Sequence, residues 1–229
     1  ERISGKCPYQ SPTDMGVNMA GNCIFDDEAV SDASRREIVR RYYQAMCDLR
    51  TGRGEESAVA KIELLMNKAE ITVDINPTVA ASLRKAEETG MPAVAIELPD
   101  GQVITGKTSS LLGASSAALL NALKVLAGLD DSLHLIAPEV IEPIQHLKIS
   151  HLGNHNPRLH TDETLIALSI SAVTDPNAER AMEHLAELSG CDAHSTVILS
   201  QVDTDVFRKL GVNMSCEPRY QTKKLYHKR

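Results

Sequence analysis

Two short apolar runs near the C-terminal end, residues 196–199 (Thr-Val-Ile-Leu) and residues 212–216, flank a stretch of helical character at 203–210. The connection spans about a dozen residues, close to the minimum for a crossover between parallel strands. A chain carrying such a βαβ unit must build a sheet, and the rest of the sequence supplies mostly helices to cover it. Ser34-Arg35-Arg36-Glu37 has the form of a capping box, and Ile38, Tyr42, Ala45 and Leu49 follow on one face. That spacing predicts a helix ending near Gly52 and Gly54. Val59, Ile62, Met66 and Ala69 give a second amphipathic helix, and β-branched residues 71–75 predict a short strand closed by Asn76-Pro77. Residues 78–89 read as a helix with Gly90 just past its end.

Residues 93–98 and 102–105 flank the turn signal Pro99-Asp100-Gly101, so a β-hairpin is expected near 93–106. Residues 110–127 form a helix that is apolar nearly all round, which predicts a central position. Pro138 and Pro143 punctuate a shorter helical piece, followed by a polar loop at 150–160. Thr161 is placed as the cap of a helix carrying Leu165, Ile166, Leu168 and Ile170. Asp175-Pro176 is an N-cap with proline at the first helical position, and Gly190 ends that helix. The fold class is therefore mixed α/β (α+β), helix-rich with a small sheet. Residues 1–25 read as an entry segment from an upstream domain, 26–149 as a helix-rich α/β part and 150–229 as a C-terminal ααβαβ part. The whole is expected to pack as one compact unit.

Composition narrows the function classes. Hydrophobic residues make up 42% and charged residues 24%, the balance of a chain that buries a core. Aromatics are only 3%, with no Trp, which leaves no stacking platform for single-stranded nucleic acid. The net charge of −7 repels a phosphate backbone, so nucleic acid is excluded as a partner. No apolar run approaches the ~20 residues that span a bilayer, and no signal-peptide pattern opens the chain. The five cysteines, Cys7, Cys23, Cys47, Cys191 and Cys216, are odd in number and widely spaced. Reduced thiols in a cytoplasmic protein explain them most simply. Without a CxxC pair, neither a zinc ribbon nor a thioredoxin-like site is expected.

Residues 101–108, Gly-Gln-Val-Ile-Thr-Gly-Lys-Thr, match the Walker A spacing. The intervening Val, Ile and Thr favour an extended return strand over a loop around phosphates, and the hairpin turn explains Gly101. A milder reading keeps Lys107 and Thr108 at a helix N-terminus, holding a phosphate or carboxylate. Its competitor is simple helix capping by Ser109 or Ser110.

His151, Asn154, His155, Arg158 and His160 share one polar loop, while Cys191 and His194 lie just before a strand. Imidazole and thiolate would suit zinc or iron, yet loop histidines usually cap, pair or face water, and no metal ligand is assigned. An anion pocket using the planar fork of Arg158 is favoured over a metal. The arginines 35, 36, 40 and 41 read as a solvated face, with Glu37 and Arg41 paired at i,i+4. Cys47 and Cys216 read as buried or half-buried thiols, and Lys223, Lys224, Lys228 and Arg229 as surface.

Four strings carry a family resemblance. They are Ser11-Pro12-Thr13-Asp14-Met15-Gly16-Val17-Asn18-Met19-Ala20-Gly21-Asn22, Gly106-Lys107-Thr108-Ser109, His151-Leu152-Gly153-Asn154-His155 and Ala193-His194-Ser195-Thr196-Val197-Ile198-Leu199. Together they resemble the bacterial family termed domain of unknown function 1846, over nearly the whole chain. The resemblance implies a full protein about twice this size, whose other half carries a glycine-rich, P-loop-like segment. Some members bear the label of zinc-dependent protease, but no H-E-x-x-H string occurs here.

The resulting expectation is the substrate-side half of an enzyme acting on a phosphorylated or carboxylated small molecule. Any nucleotide would be bound mainly by the missing N-terminal half, against which this segment would pack; the cofactor is left open. The expected cleft combines Ser11, Thr13, Asp14, Asn18 and Asn22 with Lys107, Thr108, Asn154, Arg158, His160 and Ser195 as ligand-binding residues. His155 or His194 is the acid/base candidate, because only histidine titrates near neutrality unperturbed. The alternative is a non-catalytic module that forms a homo-oligomer or scaffold through its Leu/Ala-rich helices; a metal-dependent hydrolase is a weaker third. Convergence or scatter of the polar loops separates the first two.

Overall fold

A computed structural model describes residues 26–221. Its frame is a four-stranded mixed sheet in the order β2-β1-β3-β4. Strands β1 (Ala93–Glu97) and β2 (Val103–Lys107) form the expected hairpin, antiparallel from Ala93↔Lys107 to Glu97↔Val103. β3 (Asp192–Ser195) runs antiparallel to β1 and parallel to β4 (Asn213–Cys216). Helix α8 (Gln201–Lys209) joins β3 to β4, so the C-terminal crossover is present. Its first strand, however, lies four residues upstream of the apolar run. Ala193, His194 and Ser195 pair on both sides and Asp192 pairs with β4, whereas residues 196–199 are irregular. Pairing with β1 and β4 outweighs the β-branched preference of Thr196, Val197 and Ile198.

Helices cover both faces. Side chains alternate along the strands, and Val94, Ile96 and Ala193 enter one core with α4 (Ala114–Leu126), α6 (Thr161–Ser171), α7 (Pro176–Glu183) and Phe207 of α8. On the other face lie α1 (Asp27–Arg50), α2 (Glu56–Lys68) and α3 (Pro77–Thr89), whose Val39, Tyr43, Met66 and Val79 form a second cluster with Ile71. Helix α4 is central, as its all-round apolarity predicts: Ala118, Leu119, Ala122 and Leu123 have no exposed surface. It packs directly on β2 at Gly106, where a Cβ would stand 2.1 Å from Ala118 N. That glycine is there because strand and helix backbones touch.

Three local expectations need correction. α1 begins not at Ser34 but at Asp27, capped by Asp26 Oδ1, which accepts from Ala29 N–H at 2.9 Å. Ser34 is mid-helix, its hydroxyl donating to Val30 O, so its capping-box spacing is coincidental. The buried stripe is Val39, Tyr43 and Cys47, one residue round from Ile38 and Tyr42, which are half-buried. Residues 71–75 are not a strand: Val73–Ile75 is a 3-10 turn, because Asn76 serves as the N-cap of α3. α3 itself ends at Gly90 in the left-handed region, as expected. Arg41 pairs with Glu37, whereas Arg36 reaches in to Glu97 at 2.5 Å and Asp192 at 3.5 Å, pinning α1 to the sheet.

Candidate functional site

α5 (Pro138–His146) continues into a π-helical turn, Leu147–His151, and the following loop returns across the N-terminus of α4. Backbone bonds dock it there: Leu159 N–H donates to Leu111 O at 3.0 Å and Gly113 N–H to Leu159 O at 3.2 Å. Ser116 Oγ adds a third tie to Leu159 O at 3.1 Å. Lys148, only 2% exposed, braces the loop from beneath, donating to Arg158 O at 2.6 Å and pairing with Glu163 at 2.5 Å. This docking carries Arg158 and His160 to the mouth of a cavity of about 230 Å³, together with Thr108, Ser115, Ser200 and Asp203. Pro92, Leu159 and residues 197–199 form its apolar wall.

One side of the cavity is the start of α4. The helix has Gly113 at its N-cap and, among the described residues, no capping side chain. The first amides of a helix lack intrahelical acceptors, and among the described residues Ala114, Ser115 and Ser116 N–H meet none. The three residues are buried, at 6%, 3% and 0% exposure. Thr108 and Ser115, residues each 3% exposed that line the cavity, also carry hydroxyls with no hydrogen bond among the described residues. Buried polar groups are ordinarily paired, so this concentration of unpaired donors at a cavity wall is informative. Arg158 adds a guanidinium whose Nε is committed to Ser109 O at 2.6 Å.

The opposite side is a tight carboxylate cluster. Asp203 is 5% exposed, and Oδ1 accepts from Thr161 N–H and Thr161 Oγ1, both at 2.9 Å. Oδ2 accepts from Ser200 Oγ at 2.7 Å and faces His160 Nδ1 at 3.0 Å. A carboxylate only accepts, so Nδ1 carries the proton and Nε2 is left for the cavity. Burial pushes the Asp203 carboxyl up, but the bonds from His160, Thr161 and Ser200 outweigh it and hold it below the usual range. The Asp203 bond correspondingly raises His160, against the effect of burial. His160, rather than Thr161, is the N-cap of α6, with Glu163 Oε2 accepting its backbone N–H at 2.8 Å.

Of the residues expected from sequence, the cavity gathers Thr108, Arg158 and His160. Lys107 is exposed at the end of β2 and does not line the cavity, and residues 101–108 form hairpin and return strand rather than a phosphate loop. Ser109 Oγ accepts from Leu111 and Leu112 N–H in a local turn instead of capping α4. Asn154 and His155 are exposed and do not line the cavity. His194 has no exposed surface; Nδ1 lies 2.8 Å from Ser215 Oγ, Nε2 3.5 Å from Glu217 Oε1, and its ring packs on Tyr43. A side chain so enclosed cannot touch a substrate. Ser195 Oγ donates to Val197 O at 2.7 Å and so shapes the wall without lining it. Ser11, Thr13, Asp14, Asn18 and Asn22 lie outside the described residues.

Asp203, Ser200, Ser115 and Gly113 escaped the sequence reading. The Ser-x-x-Asp spacing of Ser200 and Asp203 is a helix-start signal that marks the first two. Among the described residues, no group of three or more His, Cys, Asp or Glu is placed to hold a metal ion. Nor is any described helix long and apolar enough to cross a membrane.

Family models match the chain along nearly its whole length. One, domain of unknown function DUF1846, C-terminal, covers residues 74–226, and its N-terminal companion covers residues 1–70. The chain belongs to the DUF1846 family. A UPF0371 protein of Streptococcus pyogenes serotype M5 (strain Manfredo) is 55% identical over 228 residues, which is 100% of this chain and 46% of the relative. A UPF0371 protein of Streptococcus thermophilus is 56% identical over the same extent. The chain therefore spans about half the length of these curated relatives.

Proposed function

We propose that this chain provides the substrate-side site of an enzyme that acts on a small molecule anchored by an anionic group, phosphate or carboxylate. The observation carrying the proposal is the uncapped start of α4. The amides of three buried residues there, and the hydroxyls of Thr108 and Ser115 at the cavity wall, have no acceptor among the described residues. A helix N-terminus presents partial positive charge and free N–H groups, the arrangement that binds phosphate and carboxylate. Arg158 adds a full positive charge at the rim. A residue poised for proton transfer, His160, faces the same space across the cavity.

Isothermal titration of inorganic phosphate into the purified protein tests the reading. Each hydrogen bond to a charged group is worth about 1.5–3 kcal/mol, or roughly tenfold or more in Kd. Thr108→Val and Ser115→Ala should each weaken phosphate by at least that factor. Absence of binding at millimolar phosphate, or full affinity in both variants, would overturn the assignment. A second reading, self-association, draws on the outer face of α6. Ile166 and Ile170 are 59% and 57% exposed there, and Val173 just past its end is 81% exposed. Light scattering that finds a monomer would remove it.

A further inference from the structure

We propose that the ligand of this cavity is a phosphate monoester bound as its dianion, and that His160 is the residue selecting it over a carboxylate. The proposal rests on the anion-site reading above and gives it a substrate class. A carboxylate offers two oxygens in one plane, whereas a phosphate monoester offers three terminal oxygens in a tripod. Donors reach the cavity from more than one side: the α4 amides with the Thr108 and Ser115 hydroxyls, then Arg158, then the imidazole of His160. Two oxygens confined to one plane meet donors from three directions less completely than a tripod does.

The charge arrangement agrees. Arg158 and the α4 terminus offset about one and a half negative charges, taking the helix end as roughly half a charge. A dianion also calls for a strong donor facing it, and the imidazolium of His160, bonded at Nδ1 to Asp203, supplies one at Nε2. Asp203, the acidic residue lining the cavity, has both oxygens occupied by Thr161, Ser200 and His160. It therefore orients His160 and offsets the imidazolium's charge, leaving Nε2–H to face the ligand. The other charged groups acting on His160 are Lys148 of the π-turn and Glu163 of α6, and these pair with each other at 2.5 Å. The net influence on the imidazole is that of Asp203, which favours the proton. A phosphate ester sheds its second proton near pH 6, so imidazolium and dianion coexist just below neutrality. The wall of Pro92, Leu159 and residues 197–199 is apolar and suits the organic part. A volume of about 230 Å³ admits a phosphate with only a few carbon atoms.

The test is calorimetric titration at pH 6.5 with methyl phosphate, inorganic phosphate, sulfate and acetate, on the wild-type protein and on His160→Asn. Asparagine is a good N-cap, so the variant keeps α6 capped while removing the titratable ring. Both phosphates should bind the wild type at least tenfold more tightly than acetate. His160→Asn should erase that margin, weakening phosphate tenfold or more and leaving acetate within twofold. Sulfate stays dianionic throughout, so its affinity should fall between pH 6 and pH 8 in the wild type and stay flat in the variant. The sulfate profile requires only wild-type protein and decides the matter even if the variant fails to fold. Acetate binding as tightly as phosphate, or a flat wild-type sulfate profile, would overturn the selectivity while leaving an anion site. No binding of any of the four would remove the anion site as well.

Discussion

Replacing Gly106 by alanine adds one methyl group between β2 and α4. Its carbon would stand 2.1 Å from Ala118 N, 2.5 Å from Ala117 C and 2.6 Å from Ala118 Cα. All three are backbone atoms, so no side-chain rotation relieves the overlap. Ordinary non-bonded contacts begin near ~3.5 Å, so strand and helix must part by more than about 1 Å along the seam that buries Leu119 and Leu123. Overpacking of this kind costs about 1–3 kcal/mol and occasionally more, and a clash with rigid backbone belongs at the upper end. Gly106 is not in the left-handed region. The backbone alone would therefore favour alanine by roughly 0.4–1 kcal/mol, and sterics decide the sign. A net loss of about 3 kcal/mol corresponds to a Tm lower by roughly 6–12 °C in a chain of this size. Urea unfolding followed by circular dichroism measures it. If Gly106→Ala is as stable as the wild type, the account of this glycine is wrong, and the phosphate-loop reading of residues 101–108 regains ground.

Asp203→Ala should destabilise by about 3–5 kcal/mol, because it strands the buried Thr161 donors and the His160 proton; a loss under 1 kcal/mol by urea titration would refute the carboxylate cluster as a structural hub. The pH dependence follows from the two shifts. His160 is raised above 6.5, so its stabilisation is complete below that value and is lost as pH rises through the folded value. Asp203 is lowered below 3.8, so its share is present above that value and is lost only as pH falls through the folded one. The Tm gap between wild type and His160→Asn should thus be widest between about pH 4 and 6.5 and close at higher pH; a gap that widens toward pH 8 would contradict this. His194→Ala should cost about 2–4 kcal/mol of stability, as buried large-to-small changes do, yet leave phosphate affinity within twofold. Loss of affinity in a folded His194→Ala protein would return His194 to the site.

The elements that were legible in the sequence are those fixed by local chemistry. Asn76-Pro77 and Gly90 bound α3, Pro99-Asp100-Gly101 turns the hairpin, and Asp175-Pro176 starts α7. What was not legible depends on partners distant in sequence. β3 uses Asp192, His194 and Ser195, poor strand formers, because β1 and β4 offer ladders on both sides. The spacing at Ser34 and Glu37 mimics a cap, but the helix starts at Asp27 with acidic residues in its first turn. The site divides in the same way. Thr108, Arg158 and His160 declared their chemistry by residue type, whereas Asp203 acts on His160 across 43 positions. Gly113 and Ser115 matter because no described side chain caps α4, which residue types alone do not reveal.

The central claim is that the start of α4 holds an anionic group, and backbone amide NMR reads it directly. Titrating methyl phosphate into 15N-labelled protein at pH 6.5 should move the Ala114, Ser115 and Ser116 amide protons downfield in a saturable manner. The His160 ring signals should shift with the same midpoint. Unchanged α4 amides at saturating ligand, or shifts confined to other parts of the fold, would contradict the account.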